Sequence, residues 1–511
     1  NNEAIKEKVK ERYMDNILSY LEKTEATYGH RTAADDGTVC LTWKELGNLS
    51  RRLGTEFCSR TEPKKPIAIL MEKSALTLAA MFGAVYAGCF YVMIDPVQPS
   101  ARLGEILQVL DTKLVVTHRK GEKYLKEAGY RGEVYLIQNV IGCQSDGNRL
   151  DEIRKNSTER DLLYGTFTSG STGVPKCVAV SHKAVIDFIT HFIKLFPITA
   201  DDRIGNQAPF DFDVSVKDIY AALMTGAALI LIPKQMFSSP PMLLDYLCSK
   251  KVTSLTWAVS ALTLVSALKG LSYKAPSTVR QVLFSGEVMP AKQLRMWQEA
   301  LPETRFVNLY GPSEITCNCT YYPIERIFQD HERLPIGRPF PGREVFLMDD
   351  SGKEILIPEK IGEICVSGES LAEGYYRNPE ETKARFITGK NGRYYRTGDL
   401  GYYGKDGEMY FSGRKDFQIK HMGHRIELEE VEHALEQIQG VEKSCCLMDR
   451  KKNQLAAFYL GEAQISEIKK QLRKRVPLYM IPHRFIQTGK IPLNKNGKTD
   501  RKYLQQRLEA I

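Results

Sequence analysis

From about residue 66 the chain alternates apolar runs of β character with segments of helical period. Pro66-Ile67-Ala68-Ile69-Leu70 reads as a buried strand, 75–87 as a helix and Phe90-Tyr91-Val92-Met93-Ile94 as a second strand. Leu103 to Leu110 then reads as a helix and Leu114-Val115-Val116-Thr117 as a third strand. This βαβ rhythm predicts largely parallel sheets covered by helices. It returns at 203–295, with strands at 228–233 and 281–284. After about residue 335 the strands shorten. Asp349-Asp350-Ser351-Gly352, Lys390-Asn391-Gly392 and Lys405-Asp406-Gly407 mark turns, which predicts a small antiparallel or barrel-like unit. From about Lys415 a mixed βα segment runs to the end, and the clearest candidate hinge is Gly413-Arg414-Lys415-Asp416.

One stretch needs a decision. Ala75 to Ile94 is twenty uncharged residues between Lys73 and Asp95, long enough for a membrane span. Gly83 and Gly88 interrupt it and its end is β-rich, so a buried helix, a glycine turn and a buried strand are expected, with no membrane span. At the N-terminus, charges from Lys6 to Arg12 begin an expected helix rather than a signal peptide.

Composition narrows the class. The 511 residues are 43% hydrophobic and 26% charged, with 38 Gly and 23 Pro, as in ordinary globular chains of several folding units. The balance of 71 Lys+Arg against 62 Asp+Glu leaves +9, too diffuse to mark a nucleic-acid surface. Lys469-Lys470 and Arg473-Lys474-Arg475 fall on an amphipathic pattern whose basic side is read as a solvated face. Eleven cysteines, two of them adjacent at Cys445-Cys446, do not resemble a disulfide scaffold, so a reducing, cytoplasmic setting is expected. Cys317-Asn318-Cys319 has metal-like spacing, but no second pair follows at zinc-site distance.

The chemistry concentrates first in Tyr164-Gly165-Thr166-Phe167-Thr168-Ser169-Gly170-Ser171-Thr172-Gly173-Val174-Pro175-Lys176. Glycines allow backbone amides to close around phosphate oxygens, the hydroxyls add donors and Lys176 adds charge. It is a phosphate loop by composition but not a Walker A sequence. A bare Gly/Ser linker would need neither the Pro-Lys end nor the apolar approach.

Thr168 to Lys176 resembles the signature loop of the adenylate-forming enzymes, which include acyl-CoA synthetases, luciferases and the adenylation domains of nonribosomal peptide synthetases. Further matches follow in order: Leu41-Thr42-Trp43-Lys44-Glu45-Leu46, Phe212-Asp213-Val214-Ser215, and Asn308-Leu309-Tyr310-Gly311-Pro312-Ser313-Glu314. Gly362-Glu363-Ile364, Tyr395-Arg396-Thr397-Gly398-Asp399, Gly413-Arg414-Lys415-Asp416, Gly423-His424-Arg425-Ile426-Glu427 and Asn496-Gly497-Lys498 complete the series. Asn206 to Phe210, Gly286 to Pro290 and Asp416 to Lys420 are similar to the amino-acid-activating branch, particularly D-alanine carrier-protein ligases. The loop departs from that pattern at Phe167, where Tyr is frequent, and at Cys177, where Gly is usual. Cys177 is expected either to tighten the loop's exit or to react with thiol reagents.

The resemblance implies an α/β fold with a large N-terminal domain, 1–412, of two mainly parallel sheets plus a β-barrel-like unit. It further implies a hinge at 413–416 centred on Asp416, and a small mobile α+β domain at 417–511. The implied catalytic set is Lys498, Glu314 and Thr168. ATP is expected on Thr168, Ser169, Gly170, Ser171, Thr172, Gly173 and Lys176, with Gly286, Glu287, Asn308, Tyr310, Gly311, Asp399 and Arg414. Tyr310 would stack on adenine, Asp399 would hold the ribose hydroxyls, and Glu314 would help hold Mg²⁺. Taken alone, Tyr310 reads as a core aromatic, Asp399 as a turn residue and Lys498 as a solvated lysine.

Asp213 would pair with a substrate α-ammonium, and Val214, Lys217, Thr256, Leu283, Ser285, Leu309, Cys317 and Asn318 would line the rest of the amino-acid pocket. Lys217, Thr256, Ser285 and Asn318 are polar, so a small polar amino acid is expected before phenylalanine or leucine. Lys217 alone suits an acidic side chain unless its stem extends past the pocket to water. The expected reaction forms aminoacyl-AMP and passes the aminoacyl group to the phosphopantetheine thiol of a carrier protein. No carrier serine motif follows Lys498, so the thiol is expected from a separate carrier protein or domain. The alternatives are a D-alanine ligase of cell-wall modification, an acyl-CoA synthetase or a non-catalytic nucleotide-binding module. A domain of a larger synthetase and a free-standing ligase both fit the limits of the chain.

Overall fold

The computed structural model describes residues 16–170, 173–389, 392–421, 423–449, 451–493 and 499–510. Two large sheets dominate it. In one, the strands run in the order Gly374–Tyr375, Lys176–Ser181, Leu162–Thr168, Phe90–Ile94, Pro66–Leu70, Leu114–Thr117, Glu133–Leu136. The pairings from Leu162–Thr168 onward are parallel, and the first two are antiparallel. The other sheet has nine strands, with a parallel centre made of Arg305–Tyr310, Gln281–Ser285, Ser254–Ala258, Arg203–Asn206, Ala228–Leu231 and Thr32–Asp35.

The alternation of side chains fixes which faces meet. Ile67 and Ile69 join a core shared with Leu229, Leu283 and Val307 of the second sheet, while Ala68 and Leu70 point to a separate cluster with Leu103 and Leu107. Between the sheets lies the helix Ala75–Tyr86, capped by the Ser74 hydroxyl, which accepts from the Thr77 amide, and buried on all sides. It ends before Gly88, whose φ of +71° permits the turn into Phe90–Ile94. The expected helix, glycine turn and strand are therefore what the uncharged stretch forms. No helix among the described residues is long and apolar enough to cross a membrane. The Leu41 to Leu46 motif is a capping box: Thr42 accepts from the Glu45 amide, and Glu45 accepts from the Thr42 amide.

The third sheet is antiparallel, in the order Glu354–Ile355, Arg343–Met348, Gly362–Gly368, Gly392–Tyr403, Phe386–Gly389, with Met409–Arg414 also on Gly392–Tyr403. Its ladder continues to the Asp399–Arg414 pair. Beyond it, the hairpin Gln418–His421 with His424–Glu427 precedes a three-stranded sheet of Val441–Asp449, Gln454–Gly461 and Arg484–Gln487. The helices Leu428–Glu436 and Ile465–Leu472 cover that sheet with a core of their own. Lys469 and Lys470 lie on the helix Ile465–Leu472, which buries Ile468 and Leu472; Lys470 is exposed as expected, while Lys469 is half-buried over the Phe485 ring. The expected N-terminal helix at Lys6 to Arg12 lies outside the described residues.

Candidate functional site

One cavity opens at the carboxyl ends of the parallel strands, where open α/β sheets bind ligands. Ile94, Thr168, Ser285, Gly286 and Gly311 approach it from the two large sheets, and Gly423, His424 and Arg425 face it from the C-terminal hairpin.

The phosphate loop is the tip of an antiparallel hairpin in which Thr168 pairs with Lys176. A Cβ at Gly170 would stand 1.9 Å from the Val174 carbonyl oxygen, and Gly173 has a φ of +83°, so the turn demands both glycines. The Thr168 hydroxyl is buried beside the cavity without a partner among the described residues, which suits a donor waiting for a phosphate oxygen. Lys176 donates to Glu381 at 2.8 Å and lies over the Tyr375 ring. Ser171 and Thr172 lie outside the described residues. Cys177 sits in the core behind the loop, and burial pushes its thiol well above the ordinary range. Its place supports the packing consequence and argues against reactivity with thiol reagents.

The expected nucleotide residues divide into two groups. Thr168, Ser169, Gly286, Gly311, Asp399 and Arg414 line the cavity. Tyr310 supports it by donating its hydroxyl to Asp399 at 2.6 Å. Asn308 is turned to structure, donating to the Pro335 carbonyl at 2.8 Å, and Glu287 accepts from the Gly423 amide. Arg414 also donates to Asp399, and it meets both oxygens of Asp416 at 2.5 and 2.7 Å. The candidate hinge residue is thereby joined to the candidate ribose-binding residue through one guanidinium.

Glu314 lies on the short 3₁₀ turn Ser313–Ile315 and is fully buried. Arg425 Nη1 donates to both of its oxygens at 3.0 Å, and the Tyr375 hydroxyl donates at 2.7 Å. Burial pushes this carboxyl upward, but Arg425 and the Tyr375 and Tyr395 hydroxyls outweigh it and hold it below the ordinary carboxylate range. An ionised carboxylate of this kind suits Mg²⁺ shared with phosphate oxygens. Both oxygens are engaged by Arg425 here, so the residues fit the cation only with the Arg425 strand withdrawn. Next to it, Thr316 and Cys317 take left-handed conformations with φ of 56° and 77°, a strained choice for a β-branched residue. The Thr316 hydroxyl to the Ser370 carbonyl, at 2.7 Å, and the Cys317 thiol to the Asp213 carbonyl, at 3.0 Å, hold them. Sequence pattern carries no signal for this kink.

At the other end of the cavity Asp213 precedes the helix Val214–Thr225 without a side-chain cap, and its charge acts on Lys420, which lines the same cavity. Val214, Lys217, Ser285, Cys317 and Asn318 line the cavity with it. Thr256, Leu283 and Leu309 do not reach the lining: Thr256 faces Asp218, and Leu283 and Leu309 belong to the shared core. They lie deeper in the strands Ser254–Ala258, Gln281–Ser285 and Arg305–Tyr310, below the strand ends that meet the cavity. Lys217 does not reach past the pocket to water. It is 1% exposed, and its ammonium donates to Asn318 Oδ1 at 2.8 Å.

The C-terminal hairpin is docked against this site. The Ser169 hydroxyl donates to the Arg425 carbonyl at 2.9 Å and accepts from the Glu427 amide at 3.1 Å. The His424 ring stacks on Tyr479 at 3.5 Å between centroids and meets Phe212 edge-on at 4.6 Å. Burial, helped by Lys234 and His421, lowers its pKa to about 3, so it is neutral at ordinary pH. Arg102 pairs with Glu430 in the same interface. The motif around Gly423 was visible in the sequence, but the contacts of Arg425 and Tyr479 were not, because each depends on a partner remote along the chain. Lys498 lies outside the described residues.

The family described as AMP-binding enzyme matches residues 21–376. Tyrocidine synthase 3 of Brevibacillus parabrevis is 33% identical over 96% of this chain, which spans 8% of that protein's length. The Vibrio cholerae adenylation domain AlmE, solved with glycyl-adenosine-5'-phosphate, superposes with a TM-score of 0.85 at 22% identity, covering 97% of this chain and 98% of that one. Holo-PA1221, a protein containing adenylation and PCP domains, gives 0.83 at 23% identity, covering 96% and 84%.

Proposed function

The chain belongs to the AMP-binding enzyme family, and from that premise we propose that it activates an amino acid with ATP and transfers it to the phosphopantetheine thiol of a carrier protein or domain. The observation that carries the reading is the cavity joining the Thr168 hydroxyl, without a partner among the described residues, to the uncapped Asp213 carboxylate. A phosphate group and an α-ammonium placed on these two residues bring the substrate carboxylate toward the nucleotide.

In the first half-reaction a carboxylate oxygen attacks the α-phosphorus, the bond to the bridging oxygen breaks, and pyrophosphate leaves with the electron pair. Two anions meet, so positive charge and donors must be in place beforehand. Thr168 and the loop amides supply donors to the phosphates, Asp399 holds the ribose, and Lys498 bridges carboxylate and α-phosphate. Glu314 would help hold Mg²⁺, which when bound would supply further charge neutralisation. In the second half-reaction the thiol sulfur attacks the mixed-anhydride carbonyl, AMP leaves, and the thiol proton is lost to solvent. We assign the docked arrangement, with Gly423 to Glu427 on the phosphate loop and Arg425 on Glu314, to this second step. Residues 1–412 form the core in this reading, and 417–511 move about Asp416.

An acceptor of the CoA type would use the same first step. Asp213 favours an amino acid, because a carboxylate at the cavity's substrate end repels a plain acyl chain's carboxylate and pairs with an ammonium. Lys498→Ala tests the division of labour. Adenylation should fall about a thousandfold, while transfer from supplied aminoacyl-adenylate persists. Equal loss of both steps in a folded variant would remove Lys498 from the first step.

A further inference from the structure

We propose that the amino acid taken by this pocket has a side chain ending in a carboxylate, bound by Lys217 with Asn318 and Ser285. The inference rests on the amino-acid reading above and names its substrate class. It begins from the inventory of polar groups at the side-chain end of the cavity. An ammonium has three N–H donors. Lys217 gives one to Asn318 Oδ1 at 2.8 Å, and no further hydrogen bond of its ammonium is seen in the structure. That bond occupies the oxygen of Asn318, so the amide presents its NH₂ end. The Ser285 hydroxyl also lines the cavity. The Cys317 thiol is turned away, donating to the Asp213 carbonyl. What this end offers a ligand is therefore almost entirely donors.

Charge points the same way. Lys217 is 1% exposed, and a buried ammonium needs a partner. Asp213 stands at the helix start, where it meets the substrate's α-ammonium. Asp218 is a second acid whose charge acts on Lys217, but it is already engaged by Asn206 at 2.9 Å and by Thr256, and it also faces Lys73. Burial pushes its pKa up to about 7, so near neutrality it offsets Lys217 only in part. A substrate carboxylate completes the set: Asp213 with the α-ammonium at one end, Lys217 with the side chain at the other. Serine or alanine would leave the Lys217 donors without an acceptor, and a cationic side chain would meet a like charge.

The test is amino-acid-dependent ATP/pyrophosphate exchange with aspartate, asparagine, glutamate, glutamine, serine, alanine, lysine and phenylalanine, in both enantiomers. An acidic amino acid should give the highest kcat/KM, at least tenfold above its own carboxamide. Lys217→Met should lower the acid about a hundredfold and erase its preference over the amide, while Lys217→Arg retains the preference. Asn318→Asp, which places a carboxylate against Lys217, should likewise depress the acid and serves if Lys217→Met does not fold. Serine, alanine or a carboxamide used as well as the acids would overturn the inference while leaving the amino-acid reading intact. An acid preference unchanged in both Lys217→Met and Asn318→Asp would overturn it too. Exchange with no amino acid at all would remove the underlying reading and the inference with it.

Discussion

Arg425 Nη1 lies 3.0 Å from both carboxylate oxygens of Glu314, across 111 residues of sequence. The residue expected to hold the nucleotide's cation is thus held by the C-terminal hairpin. On the proposed reading, Arg425 and the cation would compete for the same oxygens, so the pair would link the position of the hairpin to the state of the nucleotide. Arg425→Ala should leave adenylation within about threefold and lower thioester formation about a hundredfold, since losing one partner of a buried pair costs about 3 kcal/mol. Separate pyrophosphate-exchange and carrier-loading assays measure the two steps. An equal fall in both would mean that the pair does not belong to the second step.

Thr168→Val separates binding from folding. Its hydroxyl has no partner among the described residues, so its removal should leave the melting temperature unchanged or slightly raised. Adenylation should fall about tenfold or more through the lost phosphate contact. A large loss of stability with normal exchange would give Thr168 a structural role.

Asp416→Pro tests the hinge. Proline fixes φ and restricts the preceding Lys415, while the lost carboxylate frees Arg414 from two hydrogen bonds. Asp416→Ala controls for the second effect. Adenylation should persist in both variants, and carrier loading should drop further in the proline variant. Indistinguishable variants would remove the hinge assignment.

The His424 ring makes acid stability a readout of docking. Its folded pKa of about 3 lies below the ordinary value of 6.5, so the unfolded chain binds more protons between these limits. The stability it contributes is complete above about pH 6.5 and is lost as pH falls toward 3, by up to about 1.4 kcal/mol per pH unit. Melting temperature against pH should therefore decline less steeply in His424→Phe than in the native chain over pH 6.5 to 4.5. Parallel curves would mean that the ring's burial between Phe212 and Tyr479 does not govern acid sensitivity.

Local periodicity made the framework legible. Gly88 and the β-rich end of 75–94 distinguish a helix, turn and strand from a membrane span, while Gly83, also expected to interrupt, lies inside the helix, and the phosphate loop announces itself through closely spaced glycines and hydroxyls. Asp213 was legible through its motif. The lost details depend on partners far apart in sequence: Lys176 with Glu381, Lys217 with Asn318, and Glu314 with Arg425. Pocket positions carried over by motif also included Thr256, Leu283 and Leu309, which lie deeper in their strands than the cavity reaches. Left-handed Thr316 and Cys317 have no compositional mark, since neither residue type favours that conformation.

The most direct test of the central claim is ATP/pyrophosphate exchange by the purified chain with Mg²⁺, with and without amino acids, beside simple fatty acids and beside Asp213→Ala. The account predicts exchange that requires an amino acid, is not driven by fatty acids, and falls at least a hundredfold in Asp213→Ala through loss of the ammonium partner. Exchange driven equally well by a fatty acid, or unchanged in Asp213→Ala, would contradict it.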